Sequence, residues 1–89
     1  MSDRVKRIRR LLEARLAPVR LEIQDDSARH AGHAGARGGG GHFIVHIVSP
    51  EFANLSLVER HRLVYDALAE MMPGEIHALS IDARAPDET

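Results

Sequence analysis

The first segment of the chain carries apolar residues at helical spacing. They recur every three or four positions along an otherwise basic stretch: Val5, Ile8, Leu12 and Leu16, with Leu11 widening the stripe. Ser2 or Asp3 can cap the start of a helix here. Pro18 ends it, because the proline ring disfavours a helical conformation of the preceding Ala17. The pattern predicts an amphipathic helix that buries one face.

Two later segments alternate between apolar and polar residues, which is the period of a half-buried strand. Their inward positions are Val19, Leu21 and Ile23 in the first segment and Phe43, Val45 and Ile47 in the second. The segment 27–41 between them is rich in glycine and has few side chains to bury, so we expect a mobile loop. A loop that joins two neighbouring strands favours an antiparallel pair.

A second helix and a last strand follow a short turn that Ser49-Pro50 can open. Ser56 and Glu59 form a capping box, in which each side chain accepts from the backbone amide of the other. The predicted buried stripe of the helix that follows is Leu57, His61, Val64, Leu68 and Met71, and the helix ends at Pro73-Gly74. In the last strand, 76–83, His77 is placed on the same face as Leu79 and Ile81.

The order of elements predicts a single small α+β domain spanning residues 1–89, with its core at about 4–85. The order α-β-β-(short turn)-α-β gives a three-stranded mixed sheet with the helices on one face. A strand–helix–strand connection makes the last two strands parallel.

Composition restricts the chemistry. The 89 residues include six histidines and no cysteine, so the chain has no disulfide, no thiol nucleophile and no thiolate ligand for a metal. A metal would therefore be bound through imidazole nitrogen, and sulfur ligands would come from a partner. No nucleophile elbow, phosphate-binding loop or zinc-protease motif is present in the sequence, so we do not expect an enzyme.

Charge is distributed unevenly along the chain. Residues 1–20 carry seven basic and two acidic side chains, a net +5, and the remainder carries five basic and eleven acidic ones, a net −6. The basic helix is either a solvated face or a contact for phosphates or an acidic partner. No apolar run approaches the roughly 20 residues that span a bilayer, and the N-terminus lacks a signal-peptide core. We expect a cytoplasmic protein without membrane contact.

Several sequence motifs resemble the BolA family over about residues 4–85. They are Leu21-Glu22-Ile23, Asp26-Ser27, His42-Phe43, Phe52-Ala53-Asn54-Leu55, Arg60-His61-Arg62-Leu63-Val64-Tyr65 and His77-Ala78-Leu79. The resemblance implies a fold similar to the type II KH fold. It also implies a non-enzymatic partner of monothiol (CGFS-type) glutaredoxins in iron–sulfur and iron homeostasis. The alternative that it implies for bacterial members is a DNA-binding transcriptional regulator.

The resemblance also implies a ligand set. The family's cluster ligand matches His77, and the loop ligand of the histidine-loop subgroup matches His30, with His33 as the alternate. The two would complete a [2Fe–2S] cluster shared with a glutaredoxin and glutathione. We expect the chain alone to be a monomer without cofactor, and the complex to be a heterodimer.

The remaining candidates are assigned from their positions. His61 lies in the predicted stripe and is interpreted as structural, whereas His42 and His46 are interpreted as surface histidines. Four arginines are candidates for partner or nucleic-acid contacts: Arg60, Arg62, Arg7 and Arg10. Against DNA binding, the region 52–56 lacks the Gly-x-x-Gly loop of nucleic-acid-binding KH domains, and aromatic residues make up only 3% of the chain.

Overall fold

Two helices and three strands follow one another in the predicted order. The computed structural model describes residues 3–27, 41–72 and 74–88. The elements are helices α1 (Asp3–Leu16) and α2 (Leu57–Ala67) and strands β1 (Arg20–Asp25), β2 (Gly41–Val48) and β3 (Ile76–Arg84). Short 3₁₀ turns occupy Pro50–Phe52, Ala69–Met71 and Pro86–Glu88.

The sheet has the strand order β1-β2-β3. β2 pairs antiparallel with β1 and parallel with β3, so the predicted mixed sheet is confirmed. One row across the sheet places His46 of β2 directly between Glu22 of β1 and Asp82 of β3. β2 is therefore the central strand, and its two ends meet residues from both neighbours.

Both helices pack on one face of the sheet. The inward residues of β2 are buried beneath them, with Val45 and Ile47 fully inaccessible. The predicted stripe of α1 is confirmed, because its four buried residues are Val5, Ile8, Leu12 and Leu16. The other face of β2, which carries His42, Ile44, His46 and Val48, remains partly or fully exposed.

The predicted stripe of α2 is partly wrong. Leu57 is 67% exposed, and the buried residues of the helix are Arg60, Val64 and Ala67. Val64, Leu68 and Met71 of the predicted stripe are buried, and only its first two residues, Leu57 and His61, are not. The apolar pattern selected the stripe through Leu57, because a charged residue such as Arg60 is rarely buried without a partner. The predicted capping box of Ser56 and Glu59 is confirmed.

Most of the glycine-rich segment lies outside the described residues. His30 and His33 belong to that part, so the expectation of a mobile loop stays a prediction. The two ends of the segment are described: Ser27 follows β1, and Gly41 is the first residue of β2. Within the described part of the chain, no helix is long and apolar enough to cross a membrane.

Candidate metal centre

A bulge in β3 determines where the side chain of His77 lies. Gly41 pairs with Ile76, but the next residue of β2, His42, pairs with Ala78, so His77 is an extra residue in β3. A bulge of this kind changes the direction of the side chains around it. His77 is consequently exposed, while Ile76 beside it is buried. The prediction that His77 shares a face with Leu79 and Ile81 is wrong, because the extra residue interrupts the alternation on which it relied.

The bulge places His77 against His42. The centroids of the two imidazole rings are 5.4 Å apart and the ring planes are inclined by 47°. His42 is partly buried, so its interpretation as a plain surface histidine is also wrong. Two imidazoles from neighbouring strands therefore meet at the end of the sheet where β2 begins.

The backbone around His42 is fixed by several contacts. The His42 amide donates to Oγ of Ser27 (3.1 Å), and the Asp26 amide donates to the His42 carbonyl oxygen (2.7 Å). The Gly41 amide donates to the Glu75 carbonyl oxygen (3.0 Å). A Cβ atom on Gly41 would lie 2.6 Å from Cε2 of Phe43 and 2.7 Å from Oγ of Ser27, so only glycine fits here without a shift.

These contacts hold both ends of the segment 28–40 beside the imidazole pair. Ser27 and Gly41 flank that segment in the sequence, and both belong to the hydrogen-bonded surroundings of His42.

The described residues supply only part of a metal coordination sphere. Among 3–27, 41–72 and 74–88, no group of three or more His, Asp or Glu side chains is placed to hold a metal ion. An imidazole pair leaves at least two positions of a four-coordinate metal to other donors. The described residues therefore supply at most two nitrogen ligands at this end of the sheet.

A family profile described as "BolA-like protein" matches residues 12–88 of the chain. The chain belongs to the BolA family. It is 48% identical over 93 residues to SufE-like protein 1 of Arabidopsis thaliana, covering 99% of this chain and 25% of that protein. It is 48% identical over 79 residues to human BolA-like protein 1, covering 89% of this chain and 56% of the relative.

Solved structures of BolA proteins agree with the fold. The BolA domain of SufE1 from Arabidopsis thaliana has a TM-score of 0.88 at 46% identity, covering 100% of this chain and 99% of that one. BolA1 from the same plant has a TM-score of 0.85 at 46% identity, covering 100% and 98%. The chain spans between a quarter and about three fifths of the length of the plant and mammalian relatives named BolA or SufE-like. Two plant names include the words chloroplastic or mitochondrial, so the cytoplasmic location stays a prediction here.

His46 of this BolA-like chain lies apart from the imidazole pair, in the middle of the exposed sheet face. Its Nδ1 is 3.2 Å from Oδ2 of Asp82. The pKa of Asp82 is lowered, first by a hydrogen bond from Arg84 and then by one from His46. His46 is exposed, as predicted, and is occupied with a neighbouring carboxylate.

Arg60 is largely buried within the fold. Its side chain is only 7% exposed, and the guanidinium binds Glu88 through two hydrogen bonds of 2.5 and 2.8 Å. An acidic residue 28 positions later neutralises this arginine inside the fold, and the role of Arg60 in a contact stays a prediction. Arg62 on the same helix is exposed, and its role in a contact stays a prediction.

Arg7 is also engaged within the fold. Its guanidinium forms ion pairs with Glu75 and, at 3.5 Å, with Glu70. Two carboxylates therefore share the charge of Arg7, and its contact with nucleic acid stays a prediction. Arg10 is exposed one turn further along α1 and stays a candidate contact.

His61 lies at the edge of the core and not within it. The residue is half-buried, and its Nδ1 is 2.8 Å from the Leu57 carbonyl oxygen of the preceding turn. It lines a shallow apolar groove on the outer face of α2 with Leu57, Val58 and Tyr65. The structural role of His61 therefore rests on one local hydrogen bond and not on burial in the core.

Proposed function

We propose that this BolA-like chain is a non-enzymatic partner of a monothiol glutaredoxin and completes a [2Fe–2S] cluster with it. His77 supplies one nitrogen ligand and His30 the second, with His33 as the alternate. One thiolate comes from the glutaredoxin and one from glutathione. The complex is a heterodimer formed in the cytoplasm by a chain that is monomeric alone.

The observation that carries this proposal is the bulge at His77. A bulge gives up regular strand pairing, and here it turns an imidazole away from the core to the exposed end of the sheet. The same end anchors Ser27 and Gly41, between which His30 and His33 are attached. The chain offers histidine nitrogens as ligands but has no cysteine. This composition fits a cluster whose sulfur ligands come from other molecules.

The ligand chemistry supports a pH-dependent, exchangeable cluster. Two neutral imidazoles in place of two thiolates leave the cluster with less negative charge, which raises its reduction potential, as in Rieske centres. Imidazole must be deprotonated to coordinate, so acidification favours release of the nitrogen ligands, while iron-bound thiolates stay deprotonated. A cluster held in this way can be passed on or sensed without breaking the fold.

The test is the spectrum of the mixed complex. We expect His77→Ala, mixed with a cluster-loaded monothiol glutaredoxin and glutathione, to shift the absorption and circular dichroism towards those of the glutaredoxin homodimer. His46→Ala is the matched control, because it removes another exposed imidazole from the same sheet and should leave the spectrum unchanged. An unchanged spectrum for His77→Ala would contradict the ligand assignment.

The loop ligands need a separate comparison. His30→Ala should change the spectrum less than His77→Ala if His33 substitutes for it. The double variant His30→Ala/His33→Ala should then match His77→Ala. A double variant with the wild-type spectrum would exclude the loop histidines and leave the second nitrogen to another residue.

A further inference from the structure

We infer that His42 and His77 form a two-nitrogen site that binds Zn²⁺ in the isolated chain, without glutaredoxin or glutathione. Nothing in the proposed cluster requires His42, so this site goes beyond the shared cluster and does not depend on it. The inference rests on the separation of the two rings, on the bulge that brings them together and on the hydrogen bonds that hold His42.

The separation of the rings fits one metal ion. A metal–nitrogen bond of about 2.0 Å, with each ring nitrogen about 1.1 Å from its centroid, puts a bound ion about 3.1 Å from each ring centre. Two centroids 5.4 Å apart then correspond to a nitrogen–metal–nitrogen angle of about 120° when both rings aim at one ion. That angle is near the tetrahedral value that Zn²⁺ adopts and far from the right angle of square-planar Cu²⁺.

The two imidazoles differ in how firmly they are held. His42 is partly buried, its Nε2 has almost no exposed surface, and its backbone is hydrogen-bonded on both sides to Asp26 and Ser27. His77 is exposed and can turn towards a metal held by its neighbour. A pre-positioned ligand beside an adjustable one lowers the conformational entropy lost on binding.

His46 is a second imidazole on this sheet, with a carboxylate and not another imidazole as its neighbour. It occupies the same strand and face as His42, four residues along β2, but its ring nitrogen lies against the Asp82 carboxylate. His46 therefore serves as a matched control, with the same residue type on the same strand and a different neighbour.

The experiment is a calorimetric titration of the tag-free chain with Zn²⁺. We expect one ion per chain, with binding weakened at least tenfold by His77→Gln and equally by His42→Gln. His46→Gln should change the affinity less than twofold, and the double variant His30→Gln/His33→Gln less than threefold. Circular dichroism of each variant confirms that it is folded, and His42→Asn provides a second substitution should His42→Gln fail to fold.

Imidazole nitrogen shifts give an independent measurement. In ¹⁵N–¹H spectra of the wild type, Zn²⁺ should move ring nitrogens of His42 and His77 and leave those of His46 in place. Wild-type binding in which His42→Gln and His42→Asn keep the affinity within twofold would overturn the inference, as would shifts confined to His30 and His33. Failure here is distinguishable from failure of the shared cluster, because neither partner nor sulfur ligand is present.

Discussion

Arg60 and Glu88 join the second helix to the C-terminal turn through a two-pronged ion pair. Nη1 of Arg60 lies 2.5 Å from Oε1 of Glu88, and Nη2 lies 2.8 Å from Oε2. The same guanidinium donates to the carbonyl oxygens of Ala83 (3.1 Å) and Leu55 (3.0 Å). A buried cation whose donors are satisfied in this way can occupy a core position that the sequence pattern reserves for an apolar residue.

Glu88 should make the stability of the fold depend on acid pH. Hydrogen bonds from Arg60 and then from the Ala85 amide lower its pKa from 4.5 to about 2. Because the folded pKa is below the unfolded one, the stabilisation is complete above about pH 4.5 and is lost as pH falls towards 2. Glu88→Gln should be less stable than the wild type at pH 7, and the two should converge at pH 2.

Urea denaturation at a series of pH values measures this difference. The exposed neighbour Asp87 provides the control, since Asp87→Asn removes a carboxylate that makes no hydrogen bond to Arg60 in the described structure. Parallel stability curves for Glu88→Gln and the wild type over the whole range would contradict the prediction.

Gly41→Ala should destabilise the fold and disturb the imidazole pair. The added Cβ would meet the Phe43 ring and the Ser27 hydroxyl at distances that require the backbone of β2 to shift. Overpacking of this kind costs about 1–3 kcal/mol of the free energy of unfolding. Thermal denaturation measures the loss, and amide chemical shifts of His42 report the displacement.

Gly74→Ala is the matched control for that substitution. No atom lies within 4 Å of a Cβ built on Gly74, so the change in stability should stay within about 1 kcal/mol. Equal effects at the two glycines would show that the close packing around Gly41 is unimportant.

His61→Ala should have a small effect on stability. The substitution removes one exposed hydrogen bond to the Leu57 carbonyl, which is worth about 1 kcal/mol or less. Leu68→Ala, at a fully buried position of the same predicted stripe, should cost about 2–5 kcal/mol. Chemical denaturation of both variants tests the contrast. A large loss of stability for His61→Ala would show that the His61 side chain contributes to the core.

DNA binding by α1, if it occurs, should be weak and fall steeply with salt, because it would rest on phosphate contacts. Arg10→Ala should then lower the affinity by a similar factor for unrelated DNA sequences, as measured by fluorescence anisotropy. Arg7→Ala should act mainly on stability, because Arg7 is already paired with Glu70 and Glu75. Sequence-selective binding that survives moderate salt would favour the transcriptional regulator over the glutaredoxin partner.

Local periodicity was sufficient to predict the architecture. The stripe of α1, the capping box at Ser56 and the alternation of β2 each depend on residues within one element, which the sequence displays directly. The parallel pairing of the last strand follows from the helix that precedes it. These features needed no knowledge of distant contacts.

The surroundings of the site could not be predicted in the same way. The bulge at His77 arises where β3 aligns with Gly41, and nothing in the alternation of residues 76–83 marks the extra residue. The burial of Arg60 depends on Glu88, and the engagement of Arg7 depends on Glu75, both far away in the sequence. Each of these features therefore depends on a residue that only the folded chain brings near.

The parallel pairing of β2 with β3 sets the order in which the imidazole pair can be assembled. During synthesis His42 appears long before His77, and the two meet only after α2 has crossed between their strands. Pairing of strands distant in sequence is slow, because loop closure must precede the contacts that stabilise it. The pair is thus completed only when β3 docks, and a chain interrupted before β3 lacks the second imidazole.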